Sequence, residues 1–156
     1  MKTESLGEVS EKDLIEVTRE IGREIREFAK KISEILNIRL EKVLDALNLA
    51  RAAEIIDIKV EGDEIIGIRA RVPSESRPGH YYYVTVGYYG YKCNCEATMY
   101  RGRICKHVLA VLMLWNVINV FKTGKALDVY RIRWLHEQHQ PEKESEGELR
   151  EDSTSI

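Results

Sequence analysis

The sequence has little cysteine or proline, with three of each in 156 residues, and its formal net charge is only −2. Three cysteines cannot all pair within one chain, which argues against a structural disulfide framework. The small net charge gives no global reason to expect nucleic-acid binding, so any such argument has to be local. The content of 44% hydrophobic and 32% charged residues is typical of a globular protein rather than a disordered or fibrous one.

Long apolar segments are also missing. The longest, Val108 to Phe121, has 14 residues and two asparagines, whereas a helix that spans a bilayer needs about 20 apolar residues. The start of the chain, Met1 to Asp13, is polar and of mixed charge, unlike a secretory signal peptide. We therefore expect a cytoplasmic protein, and the abundance of Ile, Glu and Arg favours a thermophilic source.

All three cysteines lie in one compact motif, Cys93-Asn94-Cys95, nine residues, then Cys105-Lys106-His107. Three thiolates and one imidazole form a usual tetrahedral set for structural zinc. Residues two apart on an extended segment point to the same side, so Cys93 and Cys95 can bind together from a strand end. Positions i and i+2 do not face each other on a helix, which places Cys105 just before a helix or at its first residue. The motif predicts one closed zinc site without catalytic function, in preference to a CXC redox pair or three unrelated thiols.

The pattern C-x-C…C-x-H, with strands before it and an apolar helix after it, resembles the SWIM zinc-binding domain over roughly Ile55 to Phe121. The resemblance implies a zinc-stabilised ββα module that binds nucleic acid or proteins. With Ala110 the pattern becomes C-x-C…C-x-H-x-x-A, which resembles an archaeal-like subgroup that works with RecA-like recombinase paralogues in recombinational repair. For this chain, that resemblance implies a RecA-like partner.

Apolar residues spaced three or four apart predict a helical segment over 10–53, after a flexible N-terminus over 1–9. A pattern of this length indicates either one projecting helix that forms a homodimer, or two helices that turn near Asn37 to Arg39. We favour two helices, because a small protein buries more apolar surface when the segment folds back.

Residues 54–122 are predicted to form the zinc module. Alternating apolar residues and β-forming residues predict an antiparallel meander of three strands, Ile55–Val60, Glu64–Val72 and Tyr81–Tyr88, followed by a short fourth strand over Tyr91–Cys95. A helix is predicted from near Cys105 to Lys122–Gly124, where glycine suits a left-handed cap.

The pattern after the zinc module predicts a C-terminal helix within 123–140 and a disordered acidic tail over 141–156. In the helix we expect four side chains to face inward, Leu127, Val129, Tyr130 and Trp134. The stretch Val129–Leu135 also alternates like a strand, and we favour the helix. The predicted fold class is α+β.

The segment Arg77 to His107 contains five basic residues against one acid, a formal charge of +4, and seven of the eight tyrosines. Basic groups interleaved with aromatic rings are typical of a groove that binds single-stranded nucleic acid. Part of this charge would balance the zinc thiolates, and some tyrosines would pack in the sheet. The predicted nucleic-acid-binding residues are Lys92, Arg101, Arg103, Lys106, Tyr89, Tyr91 and Tyr100.

The helix after His107 is apolar on all sides, so it must be covered nearly everywhere. We interpret it as the central core helix, and we predict that any uncovered part, around Met113 and Trp115, binds a partner. A separate acidic cluster could imitate a metal-dependent nuclease site, although acids are ordinary in turns: Asp57, Glu61, Asp63 and Glu64.

The sequence therefore predicts a noncatalytic, zinc-stabilised module that binds nucleic acid or protein and acts as an accessory factor in DNA recombination or repair. The alternative is a DNA-binding transcription regulator or chromatin component, and a metal-dependent nuclease is the least favoured.

Overall fold

The computed structural model describes residues 11–101 and 103–137, without the side chains of residues 13, 14 and 99–101. The predicted α+β class is confirmed. The predicted flexible N-terminus, 1–9, and acidic tail, 141–156, lie outside the described residues. In chain order the elements are α1 (Glu11–Leu36), α2 (Leu40–Ala50), β1 (Glu54–Glu61), β2 (Glu64–Pro73), β3 (Tyr81–Gly87), β4 (Gly90–Cys93), α3 (Glu96–Arg101), α4 (Lys106–Thr123), a 3-10 turn (Val129–Arg131) and α5 (Arg133–Glu137).

The N-terminal segment is a hairpin of two helices, as predicted. The chain reverses at Asn37, which adopts a left-handed conformation with φ 57°, an uncommon state that asparagine tolerates better than most residues. Phe28 and Ile32 of α1 and Val43 of α2 are buried. Val17, nearer the start of α1, is 56% exposed, so it is the C-terminal half of α1 that packs on the core.

The four strands form one antiparallel sheet in the order β1-β2-β3-β4. The predicted meander with a short fourth strand is therefore confirmed. Alternate residues of the central strands are buried on one face, including Ile68 and Ala70 of β2 and Val84 and Val86 of β3. We call this face of the sheet the covered face, because α4 packs against it along β2, β3 and β4.

Helix α4 is the centre of the core. It ends at Gly124, whose left-handed φ of 81° allows its N–H to donate to the Val120 carbonyl at 2.7 Å, as predicted for a glycine cap. The prediction that Met113 and Trp115 offer an exposed surface to a partner is wrong, because both side chains are fully buried. Trp115 lies on the sheet side, where its indole N–H donates to the Ile65 carbonyl and its ring meets Tyr88. Helices α1 and α2 pack on the sides of α4 that the sheet leaves free.

The C-terminal segment is a 3-10 turn followed by α5, shorter than the single helix predicted. Leu127, Val129 and Trp134 are buried as expected, and the Trp134 indole N–H donates to the Gly87 carbonyl at 2.8 Å. The prediction that Tyr130 faces inward is wrong, since its side chain is 77% exposed. The Asp128 side chain accepts the Tyr130 N–H and starts a tight turn there, so adjacent residues cannot all reach the core. No helix in the described ranges is long and apolar enough to cross a membrane.

Candidate metal centre

The three cysteines and His107 converge at the junction between the sheet and α4. Cys93 ends β4 and Cys95 follows two residues later, while Cys105 is the N-cap of α4 and His107 lies in its first turn. All four side chains are buried, and their ligand atoms lie within 4.8 Å of one another. The predicted junction of strand and helix is therefore present.

The distances in this cluster fit a tetrahedral metal. The Nδ1 atom of His107 lies 3.8 Å from the Cys93 sulfur and 3.6 Å from the Cys105 sulfur. A tetrahedron with zinc–sulfur bonds of about 2.3 Å and a zinc–nitrogen bond of about 2.0 Å has nitrogen–sulfur edges of about 3.5 Å. None of the cysteines forms a disulfide. The cluster is a site for one structural zinc ion, and four protein ligands leave no open coordination position.

Hydrogen bonding shifts the pKa values of two of the thiols, Cys93 and Cys105, in opposite directions. The pKa of Cys105 is lowered mainly by a hydrogen bond from the Cys93 thiol, with a further contribution from the Val108 backbone N–H at the start of α4. The same Cys93–Cys105 hydrogen bond, together with burial, raises the pKa of Cys93. Because zinc binds thiolates, metal binding at this site displaces the protons that the cysteine thiols carry.

Side-chain hydrogen bonds hold the first ligand pair and the loop that follows it. The side-chain oxygen of Asn94, the residue between the first two cysteines, accepts the Tyr83 N–H at 2.9 Å and ties the first ligand pair to β3. The Thr98 hydroxyl lies 3.9 Å from the Cys95 sulfur and donates to the Arg103 carbonyl at 2.9 Å. Cys95 lies beyond the end of β4, so these contacts, and not strand pairing, position it.

Sequence reasoning missed Tyr82 as a residue of this site. Its ring stacks on the His107 imidazole, with centroids 4.2 Å apart and an interplanar angle of 25°, and His80 meets its edge at 5.2 Å. Tyr82 therefore fixes the plane of the metal-binding ring, as outer contacts of metal sites commonly do. The alternation Tyr81 to Tyr83 indicated that neighbouring rings face opposite sides, but which ring reaches His107 depends on the position of α4.

The described residues predicted to bind nucleic acid differ in their exposure and in their contacts. Tyr89 is 82% exposed, and Lys92 and Arg103 are also exposed. Lys106 forms an ion pair with Glu75 at 2.5 Å, and the half-buried ring of Tyr91 packs on Trp134 with centroids 4.6 Å apart. The side chains of Tyr100 and Arg101 lie outside the described part of the chain.

The acidic cluster considered as a nuclease site is not assembled in the described structure. Asp57 accepts a hydrogen bond from its neighbour, the Ile58 N–H, and Glu64 forms an ion pair with Arg131. Within 11–101 and 103–137, the cysteines and His107 are the only group of three or more potential metal ligands that lie close together.

Comparison with known proteins agrees with this geometry. Residues 84–116 match the family model of the SWIM zinc finger, a stretch that runs from β3 into α4 and includes all four ligands. No curated protein and no solved structure matches the chain. The segment from β3 to α4 is therefore a SWIM zinc finger, built around one Cys3His zinc site.

Proposed function

We propose that this chain is a noncatalytic, zinc-stabilised module that binds nucleic acid and a partner protein, and that it acts as an accessory factor in DNA recombination or repair. The observation that carries the proposal is the closed zinc site, in which four buried protein ligands fix β4 to α4. A metal with no open position organises structure and does not activate water. The match of residues 84–116 to the SWIM zinc finger supports a role in binding nucleic acid or protein.

The nucleic-acid part of the proposal is supported by exposed groups near the zinc finger. Tyr89 and Lys92 lie at β4 and Arg103 lies on the loop before Cys105, all accessible to solvent. Exposed cations contact phosphates and an exposed ring can stack on a base. Lys106 is already engaged by Glu75, so we expect it to contribute less.

The protein partner that we propose is a RecA-like recombinase paralogue, on the strength of the C-x-H-x-x-A pattern. Ala110 is fully buried, so it packs the core and does not contact the partner. Strand β1 offers a more suitable surface, because it is an edge strand and all eight of its residues are exposed, including Ile58 and Val60. Exposed apolar edge strands are typical sites of protein association. A homodimer through residues 10–53 is the alternative, supported by exposed Ile15 and Val17 on α1.

The proposal is tested with the purified, zinc-loaded chain and labelled single-stranded and duplex DNA, at about 50 mM and about 200 mM salt. We expect binding without cleavage, also in the presence of magnesium, and recovery of a recombinase paralogue from native cells. Ile58→Glu should reduce that recovery while the zinc content stays unchanged. Binding to neither form of DNA at low salt, together with no captured recombination protein, contradicts the proposal.

A transcription regulator or chromatin component is distinguished in the same experiment. It predicts a preference for a defined duplex, with affinity that falls steeply as salt increases. Cutting of DNA by the pure protein would instead indicate an enzyme.

A further inference from the structure

The face of the sheet opposite α4, which we call the open face, has a large depression. The depression has a volume of about 850 Å³ and is lined by residues from all four strands. Among the described helices, α4 makes most of the contacts with the sheet, and it lies on the covered face. The side chains on the open face are therefore available to a ligand.

A row of glycines makes the floor of the depression. In the strand register, Gly67 of β2 lies opposite Gly87 of β3, which lies opposite Gly90 of β4. A Cβ atom at Gly67 would lie 2.8 Å from the Val86 carbonyl oxygen, and one at Gly87 would lie 2.7 Å from the Ile66 carbonyl oxygen. The close approach of β2 and β3 thus requires both glycines, and their lack of side chains leaves a flat strip of backbone.

Cations border this glycine row. Lys59 is paired with Gly67 at one end of it, and Arg69 and Lys92 flank Thr85 in the neighbouring row. The residues that line the depression include one acid, Asp57. Among the described residues, no ion pair within 4.0 Å engages any of the three cations. A local excess of unpaired positive charge in a chain of net charge −2 favours an anionic ligand.

Two tyrosine rings complete the open face. Tyr83 is 41% exposed and lies on β3, and Tyr89 is 82% exposed in the turn that leads to Gly90. Four strands spaced about 4.8 Å apart make a platform about 14 Å wide. Four-stranded sheets with exposed aromatic rings stack two or three unpaired bases in this way, whereas bases inside a duplex are not available for stacking.

We propose that the open face binds single-stranded nucleic acid. The bases lie over the glycine row and stack on Tyr83 and Tyr89, while the phosphates contact Lys59, Arg69 and Lys92. This inference rests on the proposed nucleic-acid function and specifies its ligand and its surface. It places the binding site on the open face of the sheet, opposite the covered face to which the side chain of the zinc ligand Cys93 belongs.

The test compares matched charge variants of the zinc-loaded chain by fluorescence anisotropy with a labelled polythymidine strand. The double variant Arg69→Gln/Lys92→Gln should make the negative slope of log affinity against log salt shallower by about 1.4, since each phosphate contact on a single strand contributes about −0.7. The control is Lys31→Gln/Lys42→Gln, which removes the same charge from exposed positions of α1 and α2. We expect the control to leave the slope unchanged.

A second pair of variants tests the shape of the depression. A Cβ atom at Gly90 would have no other atom within 4 Å, and the φ angle of this residue is not positive, so Gly90→Leu should fold and block the glycine row. Tyr89→Ala removes one ring and should weaken binding about 5- to 150-fold, the range of stacking on one base. Thermal unfolding of each variant shows that the fold is retained.

The outcomes separate this inference from the proposed function. If the chain binds the single strand but both double variants change the salt slope equally, or Gly90→Leu and Tyr89→Ala bind like the unmodified chain, the open face is not the site and the proposed function stands. A clear preference for duplex also overturns the inference. If the unmodified chain binds no nucleic acid at low salt, the inference and the nucleic-acid part of the proposed function both fail.

Discussion

The two faces of the sheet are made by alternate residues of the same strands, and they differ completely in chemistry. On the covered face, Val84 and Val86 are buried under α4. On the open face, Thr85 between them is exposed and lies beside Arg69 and Lys92. The zinc ligand Cys93 belongs to the covered face, since it pairs with Val84. The metal therefore serves the fold, and the residues suited to a ligand lie on the opposite side.

Removal of zinc should have the largest effect on stability, because the four ligands join the sheet to α4 on the covered face. Structural zinc sites contribute about 10–16 kcal/mol at pH 7, comparable to the whole stability of a domain, about 5–15 kcal/mol. Chelation, or Cys105→Ala, should abolish the cooperative unfolding transition followed by near-UV circular dichroism. Asn94→Ala is the control, since Asn94 lies between two ligands without being one, and it should retain zinc. An unchanged transition after complete chelation contradicts the structural role.

The second prediction compares two aromatic residues of α4. Trp115 is fully buried and its indole N–H donates to the Ile65 carbonyl at 3.2 Å, whereas Phe121 is 68% exposed. Trp115→Ala should lower the free energy of unfolding by about 3–5 kcal/mol, because it leaves a cavity in the core. Phe121→Ala should change it by less than about 0.5 kcal/mol. Urea unfolding measures both, and equal effects would show that the core is not centred on α4.

The glycine row allows a finer comparison within one sheet. Gly67→Ala should destabilise the protein by about 1–3 kcal/mol, since its Cβ would overlap the backbone of β3. Gly90→Ala meets open space and should be neutral or slightly stabilising, because alanine has less freedom in the unfolded chain. The two variants are compared by thermal unfolding. If Gly67→Ala proved harmless, β2 and β3 would not approach as closely as described.

The smallest effect concerns the ion pair between Glu64 and Arg131. The hydrogen bond from Arg131 lowers the pKa of Glu64 from its ordinary value of 4.5, so the pair stabilises the folded state above that value and loses its effect as pH falls through the lowered pKa. Both side chains are well exposed, so Glu64→Gln should cost less than about 1 kcal/mol at neutral pH. In an NMR titration, Arg131→Gln should raise the pKa of Glu64 towards 4.5. An unchanged pKa would show that the pair does not form in solution.

Features set by neighbours in the chain could be predicted from the sequence. The spacing of the cysteines and His107 identified the zinc site, and the turn near Asn37 and the cap at Gly124 were located correctly. In each case the physical cause lies within a few residues, in ligand spacing or backbone conformation. Local patterns of this kind need no knowledge of the tertiary structure.

Features set by distant pairing could not be predicted. The ion pair between Lys106 and Glu75 joins residues 31 apart. The burial of Trp115 depends on how α4 packs on the sheet, where its indole N–H donates to the Ile65 carbonyl. A helix that is apolar on all sides carries no pattern that shows which side chains are covered. The open face was missed for a related reason, since the rows Gly67–Gly87–Gly90 and Arg69–Thr85–Lys92 exist only in the register that pairs β2, β3 and β4.

The zinc centre is tested most directly by X-ray absorption at the zinc edge, on protein purified without added metal. We predict one zinc per chain, with three sulfur ligands at about 2.3 Å and one nitrogen ligand at about 2.0 Å. A spectrum that requires an oxygen ligand in place of one sulfur, or a content below about half a zinc per chain, would contradict a closed structural site of this type.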